Sequence, residues 1–239
     1  MKNIILIGMP GTGKSVVGQA LAERLGYAFV DADDLIVEAA GKTLPEILRT
    51  EGVDALLAVE GRVGQTLDCS NTVVATGGSM VLSREAMDHL RENGVVVWLE
   101  TPLSQISDRM PEDLTDRGIA APPGMGIREI YAQREALYAK YADVIVASRS
   151  GEDDTAHQVE EVLRTVGMQL SKARFSDLSA KSTRSARTDS SGRFLQAPCC
   201  GKGPTSRWSK NFSELNVNAS HIRIKNENTA YDTTEGANT

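Results

Sequence analysis

The sequence predicts an α/β protein whose five-stranded parallel sheet is covered by helices on both faces. Two observations carry that expectation. Five short apolar runs, near Asn3, Ala28, Thr72, Val95 and Val144, alternate with longer segments of helical periodicity. The first run opens at once into Gly8-Met9-Pro10-Gly11-Thr12-Gly13-Lys14-Ser15, a phosphate-loop pattern G-x-x-x-x-G-K-S/T placed, as that pattern requires, between a strand and a helix.

Taken in order, Asn3 to Ile7 reads as a buried strand, and Lys14 to Leu25 as a helix whose apolar face runs through Val17, Leu21 and Leu25 before Gly26 stops it. Ala28 to Val30 is a second strand ending at Asp31. Helical patterns follow from about Leu35 to Ala40, Leu44 to Thr50 and Asp54 to Leu67, with Asp34 as the expected N-cap of the first. The β-branched run Thr72-Val73-Val74-Ala75 is a strand closed by Gly77-Gly78. A helix from Arg84 to Glu92 leads to the strand Val95 to Leu99, and helices near Leu103 to Arg109 and Ile127 to Tyr141 precede the strand Val144 to Ala147 and a last helix from Thr155 to Val166. Right-handed crossovers between parallel strands bring their C-terminal ends to one edge, where ligands bind in such sheets.

Apolar residues make up 41% of the 239, and they are concentrated before residue 168. The net charge of -6 divides unevenly: residues 169–239 carry eleven Lys and Arg against six Asp and Glu, and Ser, Thr and Asn dominate there. Residues 1–168 are therefore read as one domain and 169–239 as a disordered extension. Basic residues of that extension, such as Lys172, Arg174 and Arg187, accompany no RNA-binding motif or amphipathic helix, so neither a nucleic acid nor a membrane is the expected partner. No apolar run reaches eighteen residues and no basic leader with a cleavage site begins the chain, which predicts a cytoplasmic protein. Cys69, Cys199 and Cys200 show no zinc spacing with the three histidines and are expected as reduced thiols.

The phosphate loop carries the first chemistry. Gly8, Gly11 and Gly13 let the backbone of the loop, with Thr12, turn its N–H groups inward, and the helix that follows adds the positive end of its dipole. Lys14 is placed to reach the terminal phosphates of ATP, and the Ser15 hydroxyl to ligate Mg2+. The loop alone means a nucleoside triphosphate and no more, although no guanine-specifying Asn-Lys-x-Asp occurs. At the second strand end, Asp31 and Asp33 stand two residues apart, which in a strand places both on one side: one carboxylate near magnesium, the other near an acceptor hydroxyl. A capping cluster is the other reading of those aspartates. Residues 111–126, with three prolines and three glycines, read as a closing flap or as a plain surface connection.

In these residues the chain resembles the shikimate kinase family, within the three-layer P-loop NTPase fold of the nucleoside monophosphate kinases. The resemblance covers residues 1 to about 166 and rests on the loop, the pair Asp31 and Asp33, Ala75-Thr76-Gly77-Gly78, the strand Val95 to Glu100, and Arg134-Glu135-Ala136-Leu137-Tyr138. It implies that Asp31 holds magnesium through water, that Asp33 holds the shikimate hydroxyls and acts as base, and that Gly77 and Gly78 meet the acceptor by backbone. It further implies that Arg134 grips the acceptor carboxylate, that Arg109 lies against the adenine, and that Arg117 belongs to the lid over ATP. Several positions depart from the family. A Phe-Arg pair is replaced by Leu56 and Leu57, leaving Glu60 without the arginine it usually braces, and Arg62, further along the same helix, reads as a surface charge rather than a replacement. The third glycine is Ser79, the lid reads Arg117-Gly118-Ile119-Ala120, and a proline is replaced by Ala136. The expectation is a monomeric kinase using ATP and Mg2+ to convert shikimate to shikimate 3-phosphate. The alternatives are a kinase of another hydroxylated metabolite and a nucleotide-binding regulatory protein without turnover.

Overall fold

The chain was described from a computed structural model covering residues 2–111, 113–122, 124–149, 154–167 and 223–224. From the N-terminus come β1 (Asn3–Ile7), α1 (Lys14–Leu25), β2 (Ala28–Asp31), α2 (Ala32–Ala40), α3 (Leu44–Thr50), α4 (Val53–Thr66) and β3 (Leu67–Asp68). Then follow β4 (Thr72–Ala75), α5 (Arg84–Asn93), β5 (Gly94–Glu100), α6 (Leu103–Asp108), α7 (Ile127–Tyr141), β6 (Val144–Ala147), α8 (154–167) and β7 (Arg223–Ile224). Two single-turn 3-10 segments, Met80–Leu82 and Leu114–Arg117, lie between them.

The five expected strands form one sheet in the order β2-β4-β1-β5-β6, with every neighbouring pair parallel. β1 is central, pairing Ile5 with Val74 on one side and Val96 on the other, and all five of its residues are buried. Both of its faces are covered, which is why Ile4 to Ile7 are apolar in succession rather than alternating, while the buried Asn3 side chain is satisfied by Cys69 O and the Thr72 N–H. Ile5 and Ile7 join the core with Ile36, Leu56, Met80 and Tyr138, while Leu6 faces α1. That helix comes close because Gly18 carries no side chain: a Cβ there would lie 2.6 Å from Phe29 Cε2 and 3.3 Å from Leu6 Cδ1.

Two local expectations are corrected. Asp34 does not cap α2. The helix begins three residues earlier than its apolar periodicity indicates, at Ala32, and its N-cap is Asp31, whose carboxylate accepts from the Asp33 N–H at 3.1 Å. Asp31 and Asp33 are therefore not alternate residues of one strand; Asp31 ends β2 and Asp33 lies in the first turn of α2, so the cap rather than the strand pleat sets their relation. The extension read over 169–239, with Cys199 and Cys200, lies outside the described residues except for the backbone of Arg223–Ile224, which pairs antiparallel with β3. Cys69 is a free thiol. Among the described residues no helix is long and apolar enough to cross a membrane.

Candidate active site

The C-terminal ends of β1, β2 and β4 surround a cavity of about 320 Å³. On one wall, the loop after β1 turns through left-handed backbone at Gly11 (φ 81°) and Gly13 (φ 86°), a conformation that glycine adopts without a Cβ clash. Gly13 is the N-cap of α1 and supplies no side-chain cap, so the first-turn N–H groups of that helix face the cradle. Lys14 folds over the loop, its ammonium donating to the carbonyls of Gly8 and Met9, each at 2.9 Å. Thr12 is buried and donates to Met9 O at 3.0 Å. Burial lowers Lys14 to about 8, against the opposing attraction of Asp33 and Asp31. An anion in the cradle therefore meets a cation already desolvated and held in place.

The Ser15 hydroxyl donates to Asp31 Oδ2 at 2.5 Å. A hydroxyl and a carboxylate fit Mg2+, which takes one or two protein oxygens and completes its shell from phosphates and water. Among the described residues no cluster of three or more His, Cys, Asp or Glu could hold a metal ion.

The opposite wall carries the residues expected on the acceptor side. Asp33 is exposed to the cavity; desolvation by the protein packed behind its carboxyl, with Asp31 beside it, raises that carboxyl above the ordinary value while Lys14 opposes the rise. Gly77 and Gly78 follow β4, and neither has room for a Cβ: at Gly78 it would lie 2.7 Å from Pro10 Cδ, and at Gly77 it would press on Glu60 Oε1 and lie 3.1 Å from Asp33 Oδ1. Arg134, on α7, is 1% exposed; its Nη2 donates to Ala120 O, and its Nε and Nη1 are buried without a partner. One turn along α7, the Tyr138 hydroxyl donates to Gly78 O at 2.6 Å, and its ring stacks on Trp98 with centroids 5.9 Å apart. Burial raises the Tyr138 phenol, so it remains a donor.

Of the expected nucleotide residues, Gly11, Gly13, Lys14 and Ser15 line the cavity, while Gly8 and Thr12 shape the loop behind it. Asp31, Asp33, Gly77, Gly78 and Arg134 line the same space, and Arg117 reaches it from the 3-10 turn. Arg109 stands beside the loop, donating to Gly11 O at 3.0 Å, and Arg117 in turn donates to Arg109 O at 3.2 Å. Leu56 lines the cavity and Leu57 packs half-buried against the core, whereas Arg62 points to solvent and replaces nothing. Two contacts that the sequence did not indicate brace this wall. Ser79 donates to Glu60 Oε2, and Tyr138 holds the Gly78 carbonyl.

Opposed walls of this kind bring two anionic substrates together: a cationic cradle for a polyphosphate, and a carboxylate beside an unsatisfied guanidinium for a hydroxylated acid. Similarity to known proteins points the same way. The family model described as shikimate kinase matches residues 10–167. The shikimate kinase of Persephonella marina is 38% identical over 149 residues, 62% of this chain and 90% of that protein. Shikimate kinase 2 of Sodalis glossinidius is 35% identical over 166 residues, 68% of this chain and 95% of that protein. Among solved structures, shikimate kinase from Acinetobacter baumannii in complex with shikimate superposes with a TM-score of 0.62 at 26% identity, covering 71% of this chain and 94% of that one. Sequence and fold thus agree from the phosphate loop to the last helix, and the chain belongs to the shikimate kinase family.

Proposed function

We infer that this chain phosphorylates shikimate at a ring hydroxyl, with ATP as donor, yielding shikimate 3-phosphate. The observation that carries the reading is the facing of Lys14 and the Ser15–Asp31 pair against Asp33 and Arg134 across one cavity. The nucleotide supplies the phosphoryl group and Mg2+ neutralises its oxygens. Gly11, Gly13 and Lys14 hold the phosphates, and Ser15 and Asp31 hold the ion. Arg109, tied to the loop at Gly11, flanks the nucleotide, and Arg117 closes on it from the lid. Arg134 binds the acceptor carboxylate through its unpartnered nitrogens, while Gly77 and Gly78 let the ring approach the backbone. Asp33 orients the attacking hydroxyl and accepts its proton, a task suited to a carboxyl whose basicity is raised by desolvation.

The test is ADP release with Mg2+, ATP and shikimate, run beside a panel of other hydroxy acids and polyols, with Lys14→Ala as the blank. Shikimate turnover above the blank supports the reading, and turnover of another acceptor alone refutes it. That second outcome has a structural motive: the cavity wall at Leu56 is apolar where the family carries a second cation nearby.

A further inference from the structure

Glu60 is 3% exposed, yet it lines the cavity floor between Asp33, Gly77 and Arg134. Its two oxygens differ. Oε2 accepts the Ser79 hydroxyl, whereas Oε1 is buried without a partner and lies against Gly77, the same spot that Asp33 Oδ1 approaches from the other side. A buried oxygen without a hydrogen bond costs free energy, and in a site it is satisfied when the ligand arrives. The cation that would pair with it is missing: Leu56 and Leu57 occupy the preceding turn of α4, and the nearby charges are Asp33, Arg134 and Lys14, with no ion pair to Glu60 among the described residues.

We propose that Glu60 is an acceptor-binding residue of this enzyme, its Oε1 hydrogen-bonded to a ring hydroxyl other than the one phosphorylated, and that Ser79 is the positioning residue that aims it. A hydroxyl both donates and accepts, so it pairs with this oxygen whether or not the carboxyl holds a proton. Asp33 and Glu60 then read two hydroxyls of the acceptor on either side of Gly77, and Arg134 reads the carboxylate. Ser79, which stands where the family has glycine, does what a glycine cannot: it fixes one carboxyl oxygen and leaves the other, against Gly77, free of any protein hydrogen bond. The inference rests on the shikimate kinase reading and assigns the source of its hydroxyl specificity.

The experiment is steady-state kinetics of the full chain with shikimate and with its 4-deoxy and 5-deoxy analogues. In the unaltered protein, one of the two analogues should show a KM about tenfold to a hundredfold above that of shikimate. Glu60→Leu should raise the shikimate KM by the same factor, leave the KM for ATP in place and abolish the discrimination against that analogue. Glu60→Gln, which keeps hydrogen-bonding capacity, should restore most of the loss, and Ser79→Ala should raise the shikimate KM about threefold to tenfold. Equal KM values for shikimate and both analogues in the unaltered protein overturn the inference even if Glu60→Leu fails to fold. So does a Glu60→Leu variant that weakens ATP and all acceptors alike. No turnover of shikimate by the unaltered protein overturns the kinase reading itself, and the inference with it.

Discussion

Glu60 should make the stability of the substrate-free protein depend on pH, and Glu60→Gln should remove that dependence. Burial raises its carboxyl from an ordinary 4.5 to about 7, against the hydrogen bond from Ser79 and the attraction of Arg134 and Lys14. A raised acid prefers its neutral form in the fold. Its contribution is therefore fully present below about 4.5 and is lost as pH rises through about 7, because the unfolded chain releases the proton first. At about 1.4 kcal/mol per pH unit, the gap between those values amounts to about 3 kcal/mol. Glutamine is neutral in both states and can still accept from Ser79. The variant should match the parent near pH 4.5 and exceed it by about 3 kcal/mol at pH 8, or about 6–12 °C in Tm for a chain of this size. Urea unfolding of both proteins at the two pH values, without nucleotide or acceptor, measures the difference while cancelling every other titrating group. An offset that is the same at both pH values, or a variant less stable at pH 8, refutes the reasoning.

Lys14→Ala should leave the fold intact and lower kcat by about a hundredfold or more, since it removes a preorganised cation from the transferring group; ADP release in a coupled assay checks it. Tyr138→Phe deletes the bond to Gly78 O and should cost about 1 kcal/mol of stability, read by urea unfolding; no change would mean that the hydroxyl holds nothing. Leu57→Arg, one turn before Glu60 on α4, should lower the shikimate KM about threefold to tenfold, and an unchanged or raised KM would count against an acceptor carboxylate at that end of the cavity.

The elements that place the phosphate loop were legible because their signals are local. Ile4 to Ile7 are apolar in succession because two covering layers bury them, and Gly13-Lys14-Ser15 announces the helix that follows. The start of α2 was misjudged because apolar periodicity begins at Leu35, whereas the helix is set by the Asp31 cap. The 3-10 turns at Met80–Leu82 and Leu114–Arg117 are a single turn each, too short for periodicity to register. Within the site, residues on strand ends and in motifs could be named in advance. The Glu60–Ser79 pair could not, since it joins α4 to the turn after β4 across nineteen positions, and only packing reveals that Glu60 is buried. The sequence did mark both residues as out of pattern: a glutamate without its arginine and a serine in place of glycine. The bond between them is where those two departures meet.

That meeting bears on how costly the missing arginine is. An ionised Glu60 beside an arginine at position 57 would present no net charge to the acceptor. With leucine there, burial prevails, and a carboxyl near 7 is half protonated at neutral pH. One positive charge is gone, and much of one negative charge has gone with it. Of the other charged groups that line the cavity, Lys14 and Arg134 equal Asp31 and Asp33 in number, and Arg117 adds a positive charge from the 3-10 turn. An anionic acceptor bound as proposed beside Glu60 would favour its protonated form further, so that Glu60 would not compete with the acceptor carboxylate for Arg134. What the leucines remove is therefore a hydrogen-bond donor more than an attraction of charge. Restoring the arginine would also ionise Glu60 again, and for that reason the gain expected from Leu57→Arg is closer to tenfold than to a hundredfold.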